Sequence, residues 1–286
     1  MDSDLDLERR LRPLAEPLPA PRPGDWLAVH HEPGQTFAEY RDARPIRRSD
    51  QLHTIYLCFV GEFSSAQRRI LDLTRDYLAL FFDGPVKVSR HVALAAIPPW
   101  ARRTHPTWGD PQVLTGYVLH ELLEPGRPAD ALAYVALTAT DLWPGPGWNF
   151  VFGEANLRER TGVWSLYRNG DPGQGEAAFR LSLRRTLGTA SHELGHILTM
   201  HHCTAFRCLM NGSNHQQERD ARPLYLCPVC LRKLCWNLRV EPVPYLTKLR
   251  AFCEQNAINP ESGWYGGALA TLAALGADRA SLLKNV

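Results

Sequence analysis

The chain has 286 residues, 44% of them hydrophobic, which is enough to bury one substantial core and too few for two large domains. Its 32 basic and 30 acidic side chains leave a formal net charge of +2, and no run of Lys and Arg supplies the phosphate-binding stripe that nucleic-acid affinity needs. No stretch is apolar for long enough to span a bilayer, and the opening MDSDLDLERRLRPL has neither a signal peptide's apolar core nor a transit peptide's basic character, so a soluble, cytoplasmic protein is expected.

Residues 1–50 are rich in proline and charge (RPLAEPLPAPRPGD, then RDARPIRRSD) and weakly periodic, which predicts an extended arm or loosely packed cap with no chemistry of its own. From Thr54 the pattern sharpens. TIYLCFVG reads as a buried strand, and SAQRRILDLTRDYLALFF spaces apolar residues as a helix does until Asp83 and Gly84 stop it. KVSRHVALAAI follows as a strand, PQVLTGYVLHELLE as a helix, and DALAYVALTAT, NFVFGEA and RTGVWSLYR as strands. This alternation predicts a mixed sheet flanked by helices. EAAFRLSLRRTLGTASHELGHILTM then reads as one long amphipathic helix. A loop-like, cysteine-rich stretch comes next, before two helical segments near Pro244 to Asn256 and Trp264 to Asp278.

His192-Glu193-Leu194-Gly195-His196 is an HExxH motif on that long helix. Residues four apart differ by about 40° around the axis, so both imidazoles leave one face with a single turn between them, matching two positions of a tetrahedral zinc. Glu193 is too close in sequence to be a third ligand on that face, but it reaches a metal-bound water, where a carboxylate acts as general base. A third protein ligand is needed. A continuing helix would carry His202 about 15 Å along the axis from His192, so the chain must turn by Met200 for His202 to return to the metal. His201, next to it, competes for the same role.

Five of the seven cysteines lie between Cys203 and Cys235, whereas Cys58 and Cys253 read as packed thiols. Without a secretion signal, such crowding argues for metal ligation over disulfides. Cys203 and Cys208 form one pair and Cys227 and Cys230 a CxxC. Together they match a closed structural zinc that would replace much of the core a loop-rich region lacks, with Cys235 left over as a packed thiol.

The run HELGHILTMHHCTAFRCLM, followed 16 residues after Met210 by CPVC, resembles the archaemetzincins, metzincins that add a cysteine-bound second zinc. The specific match covers roughly Ser191 to Leu234. The resemblance implies an α/β (α+β) metzincin-like zincin: a mixed twisted sheet flanked by helices, an active-site helix and an irregular, zinc-stapled C-terminal lobe. The catalytic domain would cover 51–286, with an upper lobe of about 51–198 and a lower lobe with the four-cysteine site of about 199–286. It implies two zinc ions, a catalytic one on His192, His196 and His202 and a structural one on Cys203, Cys208, Cys227 and Cys230. It also implies Glu193 as base, a Met-turn at Met210, and a peptide or protein substrate lying antiparallel to an edge strand, for which WNFVFGEA is the candidate.

The expected function is thus a zinc metallopeptidase, an aminopeptidase or a narrow-range endopeptidase, with no nucleic-acid or membrane partner. One departure stands out, because the family's glycine seven residues after the first histidine is Thr199 here. Glycine at that place suits a turn of positive φ, which is costly for a β-branched residue. The alternative function is therefore a catalytically weak or inactive zinc-stabilised scaffold that binds peptide or protein. His215, shortly after Met210, is either an oxyanion-stabilising group or a surface histidine.

Overall fold

The computed structural model describes residues 3–283. In chain order the elements are α1 (Ser3–Leu11), α2 (Trp26–Val29), α3 (Phe37–Asp42), β1 (Thr54–Val60), α4 (Ser65–Phe81), β2 (Val86–Val92), β3 (Arg102–Thr104), β4 (Pro111–Leu114), β5 (Ala131–Thr138), β6 (Asp141–Trp143), β7 (Gly153–Asn156), β8 (Thr161–Ser165), α5 (Glu176–Ile197), α6 (Gln216–Ala221), α7 (Pro228–Leu238), α8 (Pro242–Gln255) and α9 (Asn259–Leu283). They fall into two compact units, one of Ile46–Thr199 and one of the residues up to Pro45 together with those from Met200 onward.

The first unit is built on a five-stranded sheet in the order β2-β1-β5-β8-β7, parallel throughout except for the antiparallel edge strand β7. β5 at its centre, ALAYVALT, is buried at all its positions, the uniform apolar pattern of a strand covered on both faces. α4 opens with a capping box of Ser64 and Gln67 and buries Ile70, Leu71, Thr74, Tyr77, Leu78 and Phe81 along one stripe.

PQVLTGYVLHELLE does not form the single helix expected. Residues 111–114 are instead the middle strand of a three-stranded sheet in the order β3-β4-β6, and the chain coils only from residue 115, chiefly as a π-helix over Tyr117–Leu123. Pairing to two neighbouring strands and the donation of Gln112 Nε2 to Asp141 and to the Asn149 carbonyl outweigh local helical preference. The π turn still buries Val118, Leu119, Leu122 and Leu123. The strand over KVSRHVALAAI stops at Val92 and a 3-10 turn follows at Leu94–Ala96.

In the second unit the proline-rich start is packed rather than extended. Leu7 and Leu11 of α1 and Phe37 and Tyr40 of α3 are buried, and both aromatic rings meet the edge of Trp236 on α7. Asn237 Nδ2 donates to the Tyr40 hydroxyl at 2.6 Å, and Arg232 pairs with Glu8 at 2.9 Å. α7 itself was hidden in the cysteine-rich stretch: Cys227 is its N-cap and Pro228 its first residue, a favoured start because proline's fixed φ suits the helix and its missing N–H would have no partner there.

Candidate metal centre

Along α5 most of the circumference is buried, including Gly188, Ala190, Ser191 and Gly195, so small side chains and hydroxyls fill positions where longer polar ones would go unsatisfied. Ser182, Leu187 and their neighbours accept hydroxyl bonds from Thr186 and Ser191 one turn on. On this rigid support His192 and His196 bring their Nε2 atoms to 3.0 Å with rings at 89° to one another. Two nitrogens on one tetrahedral zinc stand about 3.3 Å apart, so the pair fits a metal. Glu193, between them in sequence, is partly exposed.

α5 ends where the chain enters the left-handed region at Thr199, φ +69. Its N–H donates to the His196 carbonyl at 2.7 Å, and its Oγ1 accepts the Ile46 N–H at 3.3 Å. The expected turn before Met200 is present, and the residue carrying it is the β-branched one. His201 is exposed, with its N–H on the Gln35 side chain. His202 is partly buried, its Nδ1 held by Glu32 at 2.9 Å and its ring edge-on to Trp26 at 5.0 Å. Among the described residues His201 belongs to no group of ring nitrogens, thiols and carboxylates close enough to hold a metal.

Cys203, Cys208, Cys227 and Cys230 form a second group within 4.8 Å, every member buried. Cys203 Sγ lies 3.7 Å from Cys227 Sγ, close to the edge of about 3.8 Å that a zinc tetrathiolate requires. The Met210 and Cys227 N–H groups donate to Cys208 Sγ at 3.4 and 3.3 Å, favouring negative sulfur. Hydrogen bonds, first from Cys208, hold the Cys203 thiol below its usual range, while burial pushes Cys208 up. Cys235 is buried but stands outside the group, as do Cys58 and Cys253, whose thiols burial raises, Cys253 to about 12. Met210 is fully buried, and its carbonyl accepts the Cys203 N–H at 2.7 Å.

Two residues had no signal in the sequence. Asn211 ties the knuckle together, donating from Nδ2 to the Cys203 and Phe206 carbonyls and accepting the Cys208 N–H. Glu32 sits in the proline-rich start, where no periodicity singles it out. His215 caps α6, accepting the Glu218 N–H on Nδ1 and meeting Asp25 through Nε2 at 3.0 Å, so both ring nitrogens have partners.

Residues 131–235 match the model of peptidase family M54. Over 253 residues the chain is 32% identical to archaemetzincin-2 of Rattus norvegicus, a match spanning 77% of this chain and 70% of that one. The chain belongs to the archaemetzincin family. It is 39% identical over 158 residues to the archaemetzincin of Thermococcus kodakarensis, covering 54% of this chain and 77% of that one. The crystal structure of the Methanopyrus kandleri archaemetzincin superposes with a TM-score of 0.53 at 27% identity, covering 68% of this chain and 99% of that one. This archaemetzincin is accordingly a zinc metallopeptidase acting on a peptide or protein substrate. Among its described residues no helix is long and apolar enough to cross a membrane.

Proposed function

We propose that the enzyme hydrolyses peptide bonds at a zinc held by His192, His196 and His202, with Glu193 as general base, and that a second, structural zinc sits on Cys203, Cys208, Cys227 and Cys230. The observation that carries the reading is the paired geometry: two imidazole Nε2 atoms 3.0 Å apart beside a partly exposed carboxylate on one helix, and four buried thiols within 4.8 Å of one another. Bound zinc supplies an acidified water and polarises the scissile carbonyl. Glu193 takes the proton of the attacking water and returns it to the leaving amine, a role that asks for a carboxylate open to solvent on the ligand helix.

β7, the antiparallel edge strand of the five-stranded sheet, is the strand on which an extended substrate would lie, and its position beside β8 supports that placement. Met210, buried and hydrogen-bonded to the first cysteine of the knuckle, serves as the Met-turn. Aminopeptidase or narrow-range endopeptidase action is the substrate reading. The competing reading, a zinc scaffold that binds peptide without turnover, draws on the strained Thr199; a scaffold, however, has no use for Glu193.

Zinc stoichiometry and cleavage of a quenched-peptide library, run on wild type, His202→Ala and Glu193→Ala, test the proposal. We expect two zincs in wild type, one in His202→Ala, and in Glu193→Ala two zincs with kcat lowered roughly 10²- to 10⁴-fold. Two zincs with no Glu193-dependent turnover would establish the scaffold instead.

A further inference from the structure

The N-terminal segment that precedes the sheet carries Glu32-Pro33-Gly34-Gln35, and these residues run along His201–Thr204. Glu32 places both carboxylate oxygens on His202 Nδ1, at 2.9 and 3.1 Å. A Cβ at Gly34 would stand 2.5 Å from Thr204 Oγ1, and its φ of +76 is one that favours glycine. Gln35 Oε1 accepts the His201 N–H at 3.2 Å. The contact is therefore built along its length and is more than one chance ion pair.

The segment is also held from behind. Lys233 of α7 is 1% exposed and donates from Nζ to the carbonyl and the side-chain oxygen of Gln35, an expensive burial of charge that those acceptors offset. Directly after Gln35, Thr36 and Glu39 form a capping box that opens α3, whose Phe37 and Tyr40 pack on α7. Pro33 restricts Glu32 to extended backbone, which orders the carboxylate before any metal arrives. On the far side of the ring, Trp26 packs edge-on to His202, and its backbone N–H is held by Glu218 at 2.9 Å.

We propose that Glu32 is the positioning residue of the third zinc ligand. Its carboxylate accepts the Nδ1–H of His202 and so fixes the tautomer in which Nε2 faces the metal. Trp26 limits the ring's tilt. A metal-ligating imidazole needs its other nitrogen engaged in this way to hold its orientation and basicity. The N-terminal segment is then a working part of the zinc centre, joined through Gln35 and Lys233 to the helix that carries Cys230. The inference rests on His202 being a ligand, as proposed above.

The test uses the full chain, loaded with zinc, in four forms: wild type, Glu32→Ala, Glu32→Gln and His202→Ala. Zinc is stripped by a graded chelator series and counted, and thermal unfolding is followed in parallel. We expect His202→Ala to lack one zinc and Glu32→Ala to hold the same zinc 10- to 100-fold more weakly. Glu32→Gln, which retains an acceptor oxygen, should fall between Glu32→Ala and wild type, with the remaining zinc as tightly held in every variant. Unchanged zinc affinity in Glu32→Ala beside a clear loss in His202→Ala would overturn the role of Glu32 alone. Full zinc in His202→Ala would overturn the ligand assignment and the proposal with it. A lowered Tm in Glu32→Ala without a change in zinc affinity would mean that Glu32 only holds the segment in place.

Discussion

At the scale of single residues, Thr199 shows two opposed terms. Holding a β-branched side chain in the left-handed region costs on the order of 1–3 kcal/mol, and the Ile46 N–H donated to its Oγ1, a bond of about 1 kcal/mol, offsets part of it. Thr199→Ala keeps the backbone strain and loses the bond. Thr199→Gly loses the bond as well but sheds the strain, at a smaller cost in unfolded-chain entropy. We therefore expect the glycine variant to be the more stable of the two by about 0.5–1 kcal/mol, read as a higher urea midpoint at unchanged m with zinc saturating. The reverse order, usual inside a helix, would mean that the turn does not hold its φ. The sequence reveals that a threonine stands at a place where the family uses glycine, but not that the chain keeps the glycine conformation and supplies a hydroxyl partner for it. That partner, Ile46, is 153 positions away, and no local pattern encodes such a distant contact.

At the scale of elements, legibility follows how strongly local pattern and final packing agree. β1, α4, β5 and α5 were readable because their apolar spacing matches their burial over many residues. β4 and the π-helix were not, since strand pairing on two sides overrode a helical spacing. α7 had a signal, proline just inside its start, which the cysteines around it obscured. The proposed metal ligands stand out in the sequence because metal chemistry fixes both residue type and spacing, whereas Glu32 and Asn211 act through backbone and ring atoms brought together by the fold. For β7 the register makes a sharp prediction. The Phe152 carbonyl accepts the Ser165 N–H, so alternation along the antiparallel pair turns the N–H and C=O of Phe152, Glu154 and Asn156 toward β8 and those of Gly153 and Ala155 outward. Ala155→Pro removes an outward donor without breaking a ladder bond. If substrate adds to this edge, kcat/KM should fall about tenfold, the worth of one lost hydrogen bond, with the fold retained by circular dichroism. Unaltered kcat/KM would move the substrate to another strand.

At the scale of the whole molecule, the second unit depends on its thiols in a way the first does not. The first unit carries a fully buried central strand and a pair of long amphipathic helices, α4 and α5. Between Met200 and Cys227, by contrast, the second has one short helix among its loops. A structural zinc contributes roughly 10–16 kcal/mol in isolated finger peptides, as large as the whole stability of a typical domain at about 5–15 kcal/mol, so the loop region is expected to order only around bound metal. The same loop begins with His202, immediately followed by Cys203, whose N–H is bonded to Met210 and whose carbonyl is bonded to Asn211. Disordering the thiol cluster therefore releases the third histidine from the position in which its ring is useful. Cys227→Ala is expected to lower bound zinc from the two per chain proposed above to less than one and to abolish turnover, although Cys227 stands outside the proposed catalytic residues. Limited proteolysis of the same variant should cut first between Met200 and Cys227 while fragments covering Ile46–Thr199 persist. One zinc retained on the histidines with full peptidase activity would show instead that the two centres are independent, and that the histidine loop is ordered by Glu32, Gln35 and Lys233 without help from the cysteines.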